Sequence, residues 1–316
     1  MNSATISILV PFLNEEENLP VLYERTAALF DTLSESLELI FIDDGSTDGS
    51  LAWVKQIAQQ DQRVKFIQLS RNFGHQRAIT AGMHQCNGEA AVIIDADLQD
   101  PPEVIRDLIE KWNEGYEVVH AIRSERRGES GLKKGFAHLF YLIMSHITEI
   151  EMTVDAGDFR LIDRKAINAL NQMPEQHRYM RGLAAWIGFQ QTSIHYVREA
   201  RHAGITKYPF RKSVALALNA ITSFSGTPLR LIFYLGQLLC LLSLGIALYL
   251  FITWTLIQQA PPAHAGTTYL TLAIFFVSGL QMLCMGILSQ YIRRVFDEIK
   301  NRPLYLIQET NIEQQP

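Results

Sequence analysis

Two acids one residue apart, Asp95-Ala96-Asp97, follow the apolar run Ala90–Ile94 and continue as Leu98-Gln99-Asp100. Where a strand ends the chain turns, and both carboxylates can then approach one ion. Hard carboxylate oxygens suit Mg²⁺ or Mn²⁺ shared with phosphates. Such an ion would neutralise charge building on a departing nucleoside diphosphate. A D-x-D alone recurs in many exposed acidic loops, so its place at a strand end is what raises it to a candidate. A second acidic cluster, Asp43-Asp44-Gly45-Ser46-Thr47-Asp48, also follows an apolar run. Its carboxylates could accept hydrogen bonds from a base or ribose, while the later residues form an Asx-type turn and a helix cap. A third segment, Val10-Pro11-Phe12-Leu13-Asn14-Glu15-Glu16, stands after the first apolar run and could line the same nucleoside pocket.

These segments need a scaffold that brings strand ends together. Residues 6–11, 37–43, 64–70, 90–95 and 117–122 are short runs rich in Val and Ile and read as strands. Residues 17–33, 51–60, 76–85 and 102–114 between them read as helices, the last opened by Pro101-Pro102. Repeated β-α-β order implies a parallel sheet with helices on both faces, and ligands at the carboxyl ends of its strands. All three acidic segments fall at such ends.

Taken together, the three segments resemble the family-2 glycosyltransferases of GT-A fold. The string Asp-Ala-Asp-Leu-Gln-Asp-Pro-Pro-Glu at 95–103 is similar to the dolichyl-phosphate mannose synthase branch and its bacterial polyprenyl-phosphate relatives. Arg71-Asn72-Phe73-Gly74-His75-Gln76, Asp158-Phe159-Arg160-Leu161 and two C-terminal apolar spans resemble the GtrB-type bactoprenol glucosyltransferases most closely. The resemblance implies a GT-A α/β domain, a Rossmann-like and mostly parallel sheet, followed by a transmembrane hairpin. It implies metal binding by Asp95, Asp97 and Gln99, and a nucleotide-sugar pocket of Pro11, Leu13, Glu15, Asp43 and Asp44 with the same aspartates. It places Arg123 near the acceptor phosphate, Asp158 and Arg160 as an acidic and basic pair in the catalytic loop, and Lys207 near the donor diphosphate. These five, Asp97, Arg123, Asp158, Arg160 and Lys207, are the expected catalytic residues.

Composition sets the remaining bounds. The 316 residues carry a net charge of -5, which argues against a general nucleic-acid binder. Three scattered cysteines form neither a zinc nor a disulfide pattern. His75, His84, His138 and His146 have no ligand partner at metal-site spacing, and Gln176-His177-Arg178-Tyr179 only echoes the Q-x-x-R-W motif of processive synthases. No Asp, Glu, Lys or Arg occurs from Leu231 to Ile292. Residues 232–257 and 269–291 are each long enough to span a bilayer. Arg198, Arg201, Lys207, Arg211, Lys212 and Arg230 precede this region and Arg293, Arg294, Lys300 and Arg302 follow it, which puts both ends in the cytoplasm. We therefore expect a cytoplasmic catalytic domain at 1–210, an amphipathic juxtamembrane segment at 211–229, two spans within 230–292 and a cytoplasmic tail at 293–316. The polar end of that tail, Gln308–Pro316, is expected to be disordered.

The expected activity is inverting transfer of a hexose, glucose from UDP-glucose, onto undecaprenyl phosphate at the inner face of the cell membrane, by a homo-oligomer. Alternatives within the class are UDP-4-deoxy-4-formamido-arabinose or GDP-mannose as donor. Outside it stand a transporter or flippase subunit and a non-catalytic scaffold. Spans without ionisable residues and the lack of a Gly-x-x-x-x-Gly-Lys loop disfavour the transporter. The intact D-x-D-x-Q disfavours the scaffold.

Overall fold

The computed structural model describes residues 5–30, 32–124, 156–198 and 263–312, with scattered positions between 229 and 252. Strands β1 (Thr5–Phe12), β2 (Ser36–Asp43), β3 (Val64–Leu69) and β4 (Ala90–Ile93) are dominated by Ile, Val, Leu, Phe and Ala. Nearly every residue of β1 and β4 is buried, as expected for strands covered on both faces. The four are parallel, in the order β4-β1-β2-β3. Helices α1 (Leu19–Phe30), α2 (Ser50–Gln60) and α3 (His75–Gln85) make the crossovers. Pro102–Val104 form a 3₁₀ turn that leads into α4 (Ile105–Asn113), which buries Ile105, Leu108 and Ile109. Strand β5 (Val118–Arg123) follows. The five strands and four helices read from the sequence are all present.

The sheet is mixed, and mostly parallel as expected. Strand β6 (Ala156–Asp163) runs antiparallel between β4 and β5. After it come α5 (Arg164–Asn171), α6 (Met180–Trp186) and β7 (Gln191–Tyr196), the last parallel to β5. Asp158 and Arg160 therefore sit on a central strand and not in a loop. Charged residues at core positions hide the strand from a hydrophobicity pattern, and each is tolerated there because the other is present.

A second correction concerns the tail. Ile307–Thr310 form β8, antiparallel to β3, and complete an eight-stranded sheet of order β7-β5-β6-β4-β1-β2-β3-β8. An open β3 edge would leave a row of backbone groups unpaired. The tail fills it, with Lys55 Nζ 2.6 Å from the Glu309 carboxylate and Ile312 buried. Asn311 makes two further bonds, accepting from Phe66 N at 2.7 Å and donating to Val64 O at 3.3 Å. Polar composition misled here because backbone pairing, not side-chain burial, supplies most of the docking.

The chain divides into two compact units, one of residues 1–146, 150–216 and 302–316, the other of 147–149 and 217–301. In the second unit α7 (Ala263–Ile299) is continuous over 37 residues. Among the described residues its Ala273–Ile299 portion is the one helix long and apolar enough to cross a membrane. The expected span 269–291 lies inside α7, but the helix continues past Arg293 and Arg294, where the tail was expected to begin. Most of the expected span 232–257 and of the amphipathic segment 211–229 lies outside the described residues; the described positions from Leu229 to Ile252 are helical.

Asn311→Ala should strip Phe66 N of its partner at the sheet edge and cost about 1–2 kcal/mol. The check is the thermal unfolding of purified protein, where an unchanged midpoint would show that β8 is dispensable.

Candidate active site

The loops after β1 and β2 are laced together. Asn14 adopts a left-handed conformation with φ +55°. Its side-chain oxygen accepts from Thr47 N at 2.8 Å, and its own N–H donates to Ser46 Oγ at 3.0 Å. Glu15 N donates to Ser50 Oγ at 2.9 Å, and the Glu16 carboxylate accepts from Gly49 N at 3.0 Å. Pro11 is buried near the end of β1, Leu13 is half-buried just past it, and the Glu15 carboxylate accepts from Asn18 Nδ2 at 2.7 Å. The segment that carries Pro11, Leu13 and Glu15 is thus fastened to the turn after β2. Asn14 was not singled out in the sequence, although Asn is one of the few residues that adopts this conformation readily.

The two aspartates ending β2 do different work. Asp43 is buried and its Oδ1 accepts from Ser46 N at 2.8 Å, closing an Asx turn. Asp44 is buried too, but its carboxylate accepts from Phe73 N at 2.7 Å and Gly74 N at 3.0 Å. Burial pushes its pKa up, and the two amide bonds work against that rise. Gly45 lets these loops meet: its φ is +82°, and a Cβ there would lie 2.7 Å from Asn72 N. Asp44, expected as a nucleotide contact, pins the backbone that opens α3, and so aims His75 and Gln76.

His75 then reaches a buried group of acids. Its Nε2 lies 3.4 Å from Asp95 Oδ1 and 3.5 Å from Asp158 Oδ2. Burial pulls the imidazole pKa down, but Asp95 and Asp158 outweigh it and raise it to about 9, so the ring is charged at neutral pH. Asp158 also accepts from Gln76 Nε2 and Arg181 Nε, each at 3.1 Å, and has Arg160 NH2 at 3.7 Å. Desolvation opposes its charge, yet Arg181, His75 and Arg160 hold its carboxyl well below the usual range. Arg160 is fully buried, donates NH2 to Gly157 O at 2.7 Å, and burial brings its pKa down to about 10. Arg160, expected as the basic half of a pair with Asp158, lies fully buried beside it. His75, Gln76 and Arg181 were missed because their partners lie far away in sequence.

The acidic string after β4 turns sharply. Asp97 Oδ1 accepts from Gln99 N at 3.2 Å, and between them buried Leu98 takes φ +57°. A left-handed leucine costs on the order of 1–2 kcal/mol, strain of the kind that gathers at functional sites. Asp95 Oδ1 is shut off from water without a hydrogen bond among the described residues, although the side chain as a whole is 32% exposed. Burial is the main force raising its carboxyl to about 6; His75 offsets this in part, while Asp158, Asp100 and Asp97 add to it. An orphaned oxygen among like charges is what a divalent cation would relieve. Among the described residues no three acids, histidines or cysteines form a complete cage. The residues therefore fit a shared ion, with ligand phosphates and water filling the shell. Gln99 stands beside Asp97 through that backbone bond. Arg123, the last residue of β5, has its NH2 3.7 Å from Asp100 Oδ1, and Asp100 raises its pKa against the opposing pull of burial. Lys207 lies outside the described residues.

The pattern described as Glycosyl transferase family 2 matches residues 7–170, the stretch that carries every strand end described above up to β6. The chain belongs to glycosyltransferase family 2. Its relatives include the uncharacterized glycosyltransferase YkcC of Bacillus subtilis, 45% identical over 96% of this chain and 93% of that one. The SfII prophage-derived bactoprenol glucosyl transferase of Shigella flexneri is 37% identical over 97% of this chain and 98% of its own. The prophage bactoprenol glucosyl transferase homolog of Escherichia coli K12 is 37% identical over 96% and 98%. This family-2 enzyme has the GT-A arrangement, a Rossmann-like sheet with its acidic motif at the end of β4. The Q-x-x-R echo of polymer-forming synthases is structural: Arg178 donates to the carbonyls of Leu170 and Met173 at the end of α5.

Asp158→Ala would leave Arg160 buried without its anion. The expected loss is about 3–5 kcal/mol of stability together with transfer activity. Denaturant unfolding of the variant checks this, and a wild-type midpoint would show that Arg160 does not depend on Asp158.

Proposed function

We propose that this family-2 enzyme moves glucose from UDP-glucose onto undecaprenyl phosphate at the cytoplasmic face of the cell membrane, with inversion at the anomeric carbon. The observation that carries this reading is the state of Asp158. Asp158 has Arg181 Nε at 3.1 Å, His75 Nε2 at 3.5 Å and Arg160 NH2 at 3.7 Å, and these cations hold its carboxyl ionised, well below its usual pKa. Such a group is a poor proton acceptor. An acceptor that brings its own anionic oxygen asks nothing of Asp158 as a base, and a phosphate monoester does so, since its second pKa is about 6. The names of the two bactoprenol glucosyl transferase relatives support the lipid and the sugar.

In this mechanism a phosphate oxygen of the acceptor attacks the anomeric carbon while the bond from that carbon to the UDP oxygen breaks. A dianionic monoester becomes a monoanionic diester and UDP leaves with one more negative charge, so no proton need move. Asp95 and Asp97, with Gln99 beside them, would hold Mg²⁺ or Mn²⁺, which when bound neutralises charge on the leaving diphosphate. Pro11, Leu13, Glu15 and Asp43 line the nucleoside pocket, and Asp44 shapes it from behind. Arg123 and Lys207 would supply positive charge to acceptor and donor, while Asp158 and Arg160 keep His75 and Gln76 in place. The catalytic domain lies in the cytoplasm, anchored by a hairpin of spans 232–257 and 269–291, whose basic flanks suit an anionic surface.

Purified enzyme given radiolabelled UDP-glucose, undecaprenyl phosphate and Mg²⁺ or Mn²⁺ should yield an organic-extractable product, and a chelator should stop it. No lipid product from any of a panel of nucleotide-sugars would sink the proposal, and product from GDP-mannose or UDP-4-deoxy-4-formamido-arabinose alone would replace glucose. Asp97→Ala should abolish turnover in a folded protein; retained turnover would remove its metal role. For topology, a reporter fused after Pro262 should read as external, and a cytoplasmic signal there would overturn the hairpin.

A further inference from the structure

Asp100 closes the acidic string but keeps different company from Asp95. It is 1% exposed, and its Oδ1 accepts a hydrogen bond from the Tyr196 hydroxyl. The same oxygen faces two guanidiniums, Arg123 NH2 at 3.7 Å and Arg198 Nε at 3.6 Å. One buried carboxylate thus holds two arginines, leaving one positive charge in excess. At these distances the charges attract, but neither guanidinium hydrogen-bonds Asp100 among the described residues. Arg123 gives Nε to Tyr196 Oη at 3.3 Å, and Arg198 Nε has no hydrogen bond among the described residues. Each arginine side chain remains partly open, 27% and 30% exposed.

The placement follows from the sheet. Arg123 ends β5 and Tyr196 ends β7, and the two are register partners. Ser124 N and Oγ both donate to Tyr196 O at 2.9 Å, which fastens the two strand ends together. Arg198 comes two residues after Tyr196, and Asp100 comes from the loop that carries Asp95 and Asp97. Gly157 of β6 leaves room for Arg123, since a Cβ there would lie 3.3 Å from its NH2. Two guanidiniums held by charge and still rich in donors suit an anion with several oxygens, and Arg binds phosphate bidentately.

We propose that Arg198 joins Arg123, the residue expected beside the acceptor phosphate, in binding that phosphate monoester, and that Asp100 and Tyr196 are positioning residues that hold the pair. The proposal rests on the acceptor chemistry proposed above. It gives Asp100 a role apart from the metal-binding acids in the same string, and it adds Arg198, which no motif marked.

The test uses full-length enzyme in detergent, radiolabelled UDP-glucose and a short-chain polyprenyl phosphate. Arg198→Gln should raise the acceptor KM about tenfold or more, the scale of one lost charge-assisted hydrogen bond, and leave the donor KM unchanged. Arg198→Lys should restore only part of the loss. Asp100→Asn and Tyr196→Phe should raise the acceptor KM without moving the donor KM; an equal effect on both would make Asp100 a donor-side or metal residue and overturn its assignment. Should Asp100→Asn fail to fold, the half-exposed Arg198 variants still decide the matter. Inorganic phosphate should compete with the lipid in the wild type and compete less well in Arg198→Gln; equal inhibition of both would count against the arginine pair. A water-soluble sugar phosphate in place of lipid product would sink the lipid acceptor and leave the pair standing. An unchanged acceptor KM in Arg198→Gln would sink the pair and leave the lipid acceptor.

Discussion

Three carboxylates are gathered where β4 ends and β6 runs beside it, Asp100 and Asp158 largely buried and Asp95 with one oxygen shut off from water, and the rest of the site answers that burden. At about 4 Å and an effective dielectric of about 20, two like charges repel by roughly 4 kcal/mol. Burial alone would drive such acids to the neutral form. Two of them receive cations from the protein: Asp158 from Arg160, Arg181 and His75, and Asp100 from Arg123 and Arg198. Asp95 is left with His75 and one unbonded oxygen. The incomplete neutralisation falls on the residue where an external cation would complete it.

Delivering those cations sets the architecture outside the parallel core. His75 is aimed by α3, whose first turn hangs from the Asp44 carboxylate through Phe73 and Gly74. Arg181 arrives on α6, which is fixed to the same region when Met180 N donates to Gln76 Oε1 at 3.1 Å. Gln76 therefore joins the start of α3, the start of α6 and Asp158 with a single amide. Local strain accompanies these close approaches, in Leu98 and Asn14 at positive φ and in Gly45 against Asn72. The dense lacing of the loops holds conformations that the isolated segments would not keep.

The first half of this design is legible in the sequence, and the physical reason is plain. Strands β1 to β5 are buried on both faces, so each is a short apolar run, and the acids that matter follow those runs directly. Strand β6 breaks the rule because Asp158 and Arg160 occupy core positions, and a buried ion pair looks like surface in a hydrophobicity pattern. His75 has no partner at turn or helical spacing; its partners come from the β4 loop and β6, which only the fold brings near. Arg198 looks like one basic residue among several flanking the apolar region. Strand β8 is polar because it docks through backbone pairing at an edge. Lys207 is legible from the resemblance alone, since it lies outside the described residues.

The same electrostatics bears on whether Asp158 can act as a base. A catalytic base needs a pKa near the working pH, which means an environment that disfavours its charge. Asp158 has the reverse, a ring of cations that lowers its proton affinity. A site built this way favours a nucleophile that arrives already charged, and it penalises a neutral hydroxyl that must first lose a proton. Phosphate monoesters meet that condition and alcohols do not. The cations around Asp158 therefore leave it a poor proton acceptor, which suits the phosphate acceptor proposed above, whereas the choice of sugar is left to contacts that neither the acidic motif nor its cations supply.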